Sequence, residues 1–235
     1  MLTSATVLRN GPSRLSFIDE IWAKTDMAPP DESNDREQLP FQTENSTDEC
    51  SAKIKNRRTG RLSRAASMTV VFDKVREVRW ASMGDAVGRF GHLSGREIME
   101  GIRDGTVAPS PLARLIGFQV VEVKEGEVTF ELEPREDLEN LSGALHGGVA
   151  AALLDTALGA ALQTLLPVGQ GFATLNLNVS YLRALSQRSG LIRTEARVQH
   201  RGRTSAYVLG DVRDSRKVLC AHAAGNFALL NVKGR

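Results

Sequence analysis

The apolar positions of this chain fall into two regimes. Up to about residue 80 they keep no period of 2 or 3.6, and from about residue 83 onward they do. LSGREIMEGIRDGTV (93–107) spaces Ile98, Met99 and Ile102 near i, i+3, i+4. Ser94 stands as a cap with Glu97 three residues on, so the stretch predicts a short amphipathic helix. Two β-rich runs, 117–124 and 127–133, flank Glu125-Gly126 and predict a hairpin. Gly147 to Leu166 is rich in Ala and Leu and stops at Pro167, which predicts one long, mostly buried helix. Four alternating runs follow, 172–184, 190–200, 203–213 and 217–230, separated by turns such as Arg201-Gly202 and Asp214-Ser215. Strand, strand, long helix and four strands make an α+β arrangement, an antiparallel sheet wrapped round one central helix.

The first 82 residues read differently. An acid-rich block from Asp26 to Glu49 precedes a basic one, KIKNRRTGRLSR, from Lys53 to Arg64. Neither buries enough apolar surface to offset its ordering entropy, so 1–82 is expected to be a disordered leader, or absent if the natural start is Met68 or Met83. The domain is then 83–235. The basic block has no interleaved aromatic residue and reads as a solvated linker rather than a nucleic-acid arm.

Composition adds mainly exclusions. A net charge of +2 over 235 residues is too mild to indicate a nucleic-acid partner. Cys50 and Cys220 are far apart and lack ligand spacing, so neither a disulfide framework nor a metal site is expected. No apolar run has the bulk of a membrane helix, and the N-terminus lacks a secretory signal's apolar core, which points to a cytoplasmic protein without a membrane partner.

The chemistry is concentrated in NLSGALHGGVAAALLD (140–155). Between Glu139 and Arg183 only His146 and Asp155 are ionisable in the charged-residue sense, so Asp155 has no cation near it in sequence. Its helix neighbours at three and four residues are Ala151, Ala152, Leu158 and Gly159. Two readings stand: an Asp turned to solvent or a cap, and a poised carboxylate in a half-apolar cleft. His146-Gly147-Gly148 lies where the helix should begin. Its first-turn N–H groups would point outward beside the positive end of the dipole, an oxyanion site, while Gly-Gly could equally serve tight packing.

The pattern Asn140-x5-His146-Gly-Gly-x6-Asp155, followed by TLNLNVSYLR (174–183), resembles the hotdog-fold acyl-CoA thioesterases of the phenylacetate-pathway (PaaI-like) type, over roughly residues 110–230. The resemblance implies that Asp155 activates water or attacks the thioester carbonyl, and that the N–H of Gly147 or Gly148 polarises it. It implies that His146 helps hold the thioester, that Asn140 orients nucleophile or leaving group, and that Thr174 positions water. It further implies a homodimer or homotetramer with the site shared between two subunits, an acyl-CoA substrate and no cofactor. The turn carrying Arg201, Arg203 and Thr204 falls where such proteins often contact the CoA nucleotide; a solvated hairpin turn is the competing reading. His200 and His222 read as ordinary strand residues. Two alternatives remain: a hotdog enoyl-CoA hydratase, which 155–165 argues against because it lacks the Asp-to-His pair, and a non-catalytic acyl-CoA sensor, which would need a DNA-binding domain in 1–80.

Overall fold

The computed structural model describes residues 53–55, 62–64, 74–82 and 90–231. Two compact units divide the chain after Asp73. In the first, β1 (Lys53–Lys55) and β2 (Leu62–Arg64) pair antiparallel, a short ladder within the basic block that the absence of an apolar period does not predict. The remainder of the expected disordered leader before residue 74 lies outside the described residues.

The second unit starts at Lys74 rather than at 83. Lys74 pairs with Glu136 at 2.6 Å and Arg76 with Asp137 at 2.7 Å, while Arg114 Nε donates to the Arg79 carbonyl at 3.1 Å. Helix α1 (Gly95–Asp104) begins with the expected capping box, Ser94 and Glu97 satisfying each other's backbone N–H, and ends at Gly105 in the left-handed region. A second helix, α2 (Pro111–Ile116), was not expected; at six residues it is too short to show a period, and Ser110 and Pro111 open it. The hairpin β3 (Gln119–Lys124) and β4 (Glu127–Leu132) turns at Glu125-Gly126, where Gly126 has φ 74°. The Gly126 N–H donates to Thr164 Oγ1 at 2.7 Å, tying this turn to the end of the central helix.

That helix, α3 (Gly147–Gln163), is followed by β5 (Gln170–Tyr181), β6 (Ile192–Arg201), β7 (Ser205–Arg213) and β8 (Leu219–Asn231). It stops three residues before the expected Leu166 because the last turn tightens, with Leu165 and Leu166 bonding three residues back to Leu162 and Gln163. The six strands form one antiparallel sheet in the order β3-β4-β6-β7-β8-β5. Helix and sheet bury a common core in which Leu153, Leu154, Ala157, Leu158, Ala161 and Leu162 of α3 are fully enclosed. Each buried Leu contributes about 1.5–3 kcal/mol.

The close seating of α3 depends on glycines in the sheet and the helix. A Cβ on Gly210 would lie 2.5 Å from Leu158 Cδ1, and one on Gly225 3.0 Å from Leu158 Cδ2. Leu158 is thus wedged between β7 and β8. On the helix, a Cβ on Gly159 would lie 2.8 Å from the Phe172 ring, which packs edge-on against Phe227 at 5.6 Å.

Strand β5 is an edge strand: it pairs with β8, and its other edge has no partner among the described residues. Its register against β8 shifts by one between Thr174 and Asn176, so Leu175 is an extra residue and stands 60% exposed. On the opposite edge, β3 is half as long. Among the described residues no helix is long and apolar enough to cross a membrane.

Candidate active site at the two ends of the edge strand

Asp155 sits on α3 at the border between the enclosed stripe and a half-exposed face that includes Ala151, Ala152 and Thr156. The carboxylate is half-buried, and its hydrogen-bond partner among the described residues is Thr174, whose hydroxyl donates to Oδ1 at 3.1 Å. Thr174 reaches it because its register partner is the enclosed Phe227, on the helix side of the sheet. No cation approaches Asp155 among the described residues, and its second oxygen is uncommitted.

The helix start is not bare. His146 is the N-cap of α3, and its Nδ1 accepts the Gly148 N–H at 2.9 Å. An imidazole that accepts at Nδ1 carries its proton on Nε2, so the ring presents a donor outward. With Gly148 occupied, the Gly147 N–H is the first-turn donor left without a protein acceptor among the described residues. A Cβ on Gly148 would lie 3.0 Å from His146 Nδ1, so this glycine makes room for the cap.

Asn140 does not touch Asp155. Its Oδ1 accepts the N–H groups of Ser142 at 2.9 Å and Ala144 at 3.3 Å, closing the loop before the helix. The residue also lines a cavity of about 330 Å³ together with Gly147, Tyr181, Arg183 and Cys220. Most of the remaining lining is aliphatic, including Leu145, Ala150 and Leu185. Cys220 is no nucleophile here: burial pushes its thiol up, and the thiol donates to the Val218 carbonyl at 3.3 Å.

Tyr181, which the alternating pattern of 172–184 does not distinguish from any other strand residue, belongs to this end of the site. Its hydroxyl donates to the Gly147 carbonyl at 3.0 Å, and its ring covers the place where a Gly147 side chain would start, at 3.4 Å. A tyrosine at the end of a strand carries no signal of its own; only the fold shows that it reaches the helix start.

Two groups of residues therefore lie at different ends of β5. Asn140, His146, Gly147, Gly148 and Tyr181 gather where the strand ends, and Thr174 with Asp155 nearer where it begins. From His146 to Asp155 is roughly 13 Å along the helix axis. The Arg201 side chain bonds Gln170, the first residue of β5, at 2.8 Å, and Arg203 and Thr204 continue the same exposed hairpin turn. Gln170 and Tyr181 are separated by roughly 37 Å of extended strand, so one chain does not bring Arg201, Arg203 or Thr204 to its own His146. His222 is on the opposite face of the sheet, with Nδ1 2.7 Å from Asp211 Oδ1, and His200 is exposed beside a bulge in β6.

Known proteins share this architecture. Residues 142–221 match the family described as the thioesterase superfamily. A Halobacterium salinarum protein named as a candidate esterase is 42% identical over 77 residues, 31% of this chain, and the match spans only about half (51%) of that protein. The 1,4-dihydroxy-2-naphthoyl-CoA hydrolase of Listeria monocytogenes is 27% identical over 110 residues, covering 46% of this chain and 88% of that enzyme. A solved phenylacetic acid degradation-related protein from Ralstonia eutropha, described as a candidate thioesterase, superposes with a TM-score of 0.52 at 26% identity, covering 56% of this chain and 98% of that one. With one antiparallel sheet wrapped round a central helix the chain has the hotdog fold, and the stretch of it that is similar to the thioesterase superfamily begins just before His146.

Proposed function

We propose that this protein hydrolyses acyl-CoA thioesters in the cytoplasm, in a site completed by a second copy of the chain. The match of residues 142–221 to the thioesterase superfamily supports hydrolysis of thioesters. The observation that carries the finer reading is Asp155: a half-buried carboxylate, steered by one hydroxyl and unopposed by any described cation, on the helix whose start presents an open N–H.

In this reading the two groups along β5 are halves of one site. Pairing the free β5 edge antiparallel with the same edge of a second copy sets the Tyr181 end of one strand beside the Gln170 end of the other. The Gly147 half of one subunit then approaches the Asp155 half of its partner, and the Arg201-Arg203-Thr204 turn comes with it. The Gly147 N–H and the His146 Nε2–H polarise the thioester carbonyl, and Asn140 contributes its amide to the cavity wall. Asp155 acts in one of two ways. As base it takes a proton from water, whose oxygen attacks the carbonyl carbon; as nucleophile its free oxygen attacks directly, and water then cleaves the resulting anhydride. Either way the carbon–sulfur bond breaks and CoA leaves as a thiolate, which takes up the proton held by Asp155 in the first route and a proton from solvent in the second. Thr174 holds one carboxylate oxygen so that the other faces the substrate. Arg201 and Arg203 suit the CoA phosphates.

The test is thiol release from a panel of acyl-CoAs, aliphatic of several lengths and aromatic, the latter suggested by the naphthoyl-CoA hydrolase named above. Wild type is expected to hydrolyse at least one, and Asp155→Asn to lose about 100-fold or more in kcat, the range seen when a positioned acid–base group is removed. Equal rates for the two proteins would remove Asp155 from the mechanism.

A further inference from the structure

Tyr181 lies outside the residues given a chemical role above, yet it is bonded to the one peptide that matters most for His146. Its hydroxyl donates to the Gly147 carbonyl at 3.0 Å, and the N–H of the same peptide unit, on Gly148, donates to His146 Nδ1 at 2.9 Å. Three groups are therefore linked in series: phenol, peptide, imidazole. A donor on a peptide oxygen draws charge toward that oxygen and makes the N–H on the other side a stronger donor. A stronger Gly148 donor holds the imidazole more firmly as an Nδ1 acceptor, with its proton on Nε2.

We infer that Tyr181 is a positioning residue for the thioester-binding end of the site, acting through the Gly147–Gly148 peptide to fix the tautomer and direction of His146. Two further observations support a built arrangement. Gly148 lacks the side chain that would crowd this chain of bonds, since a Cβ there would meet His146 Nδ1 at 3.0 Å, and the Tyr181 ring lies at ordinary contact distance, 3.4 Å, from where a Gly147 Cβ would stand. Tyr181 also lines the same cavity as Gly147 and Asn140 although it is 56% exposed, so its hydroxyl bond, rather than burial, sets its orientation. The role rests on the thioesterase reading, whereas the bond series itself does not.

The experiment compares full-length wild type with Tyr181→Phe, which keeps the ring over Gly147 and removes the donor, and Tyr181→Leu, which removes both. Glycine- and histidine-selective 15N spectra report the Gly148 amide and the two imidazole nitrogens; thiol release from the best acyl-CoA reports kcat and KM. In Tyr181→Phe the Gly148 amide is expected to move upfield in its proton dimension and to exchange faster, and the His146 nitrogens to shift toward a mixed tautomer. The expected fall in kcat is roughly 2- to 10-fold, the worth of one neutral hydrogen bond, with KM unchanged. Tyr181→Leu is expected to show the same spectral change. An unmoved Gly148 or His146 signature overturns the inference, as does an unchanged kcat or an effect confined to KM. Absence of thiol release by wild type would instead reject the thioesterase reading and with it the role in turnover, and the spectra would then decide whether the bond series exists.

Discussion

Asp214 shows how much a single carboxylate can organise away from the site. Its side chain is buried in the β7–β8 turn, accepting the N–H groups of Arg216 and Val218, both at 2.9 Å, with the Arg216 guanidinium at 3.2 Å. The Val218 N–H foremost, with Arg216 adding to it against the opposing effect of burial, holds this carboxyl below its usual range. A depressed pKa means that the stabilisation is present above the unfolded value, near 3.9, and is lost as pH falls through the folded value. Asp214→Asn imitates the protonated side chain. Urea midpoints of wild type and variant should therefore differ most at neutral pH and converge below about pH 4; a gap that persists in acid would show that the charge is not what the turn uses. At this scale the sequence marks Asp155 and His146 as candidates, because an unpaired Asp and a His-Gly-Gly among neutral residues stand out. It was not legible for the cap on Gly148 or for Tyr181, since both are contacts made only once helix and strand are placed.

Among the elements, the central helix is seated by Leu158, which occupies the gaps left by Gly210 and Gly225 on neighbouring strands. Gly210→Ala should cost about 1–3 kcal/mol, as overpacking of a dense core does, and Leu158→Ala about 2–5 kcal/mol, as cavity formation does. The two share one space, so the double variant should be less destabilised than the sum by about 0.5–3 kcal/mol. Denaturant unfolding of the four proteins gives the cycle, and strict additivity would show that Leu158 is not held by that gap. All six strands of the main sheet and the long helix were readable from period and turn residues, within a few residues at each end. What escaped were α2 and the β1–β2 ladder, whose helix of six residues and strands of three are shorter than any period can reveal. The two glycines that seat Leu158 lie on separate strands, and nothing in their local sequence says that they meet one leucine.

For the whole molecule, the reading that each site draws on two subunits has a direct consequence. Asp155→Asn and His146→Ala proteins, each expected to be poorly active, should recover about a quarter of wild-type activity when refolded together in equal amounts, because a mixed dimer has one site with neither change. Thiol release by the mixture against each variant alone measures this; no recovery, with mixed dimers demonstrated, would place both residues in the same subunit's site.

The extra residue in β5 bears on that division of labour. Before Leu175 the even positions Phe172 and Thr174 face the helix, opposite Leu229 and Phe227; after it the odd positions Leu177, Val179 and Tyr181 do, opposite Gly225, Ala223 and Ala221. A strand that kept strict alternation could direct either Thr174 to Asp155 or Tyr181 to Gly147, but not both. Position 175 thus works as a frameshift in space: a different side chain there leaves the phase intact, whereas losing the position would turn one half of the strand inside out relative to the other.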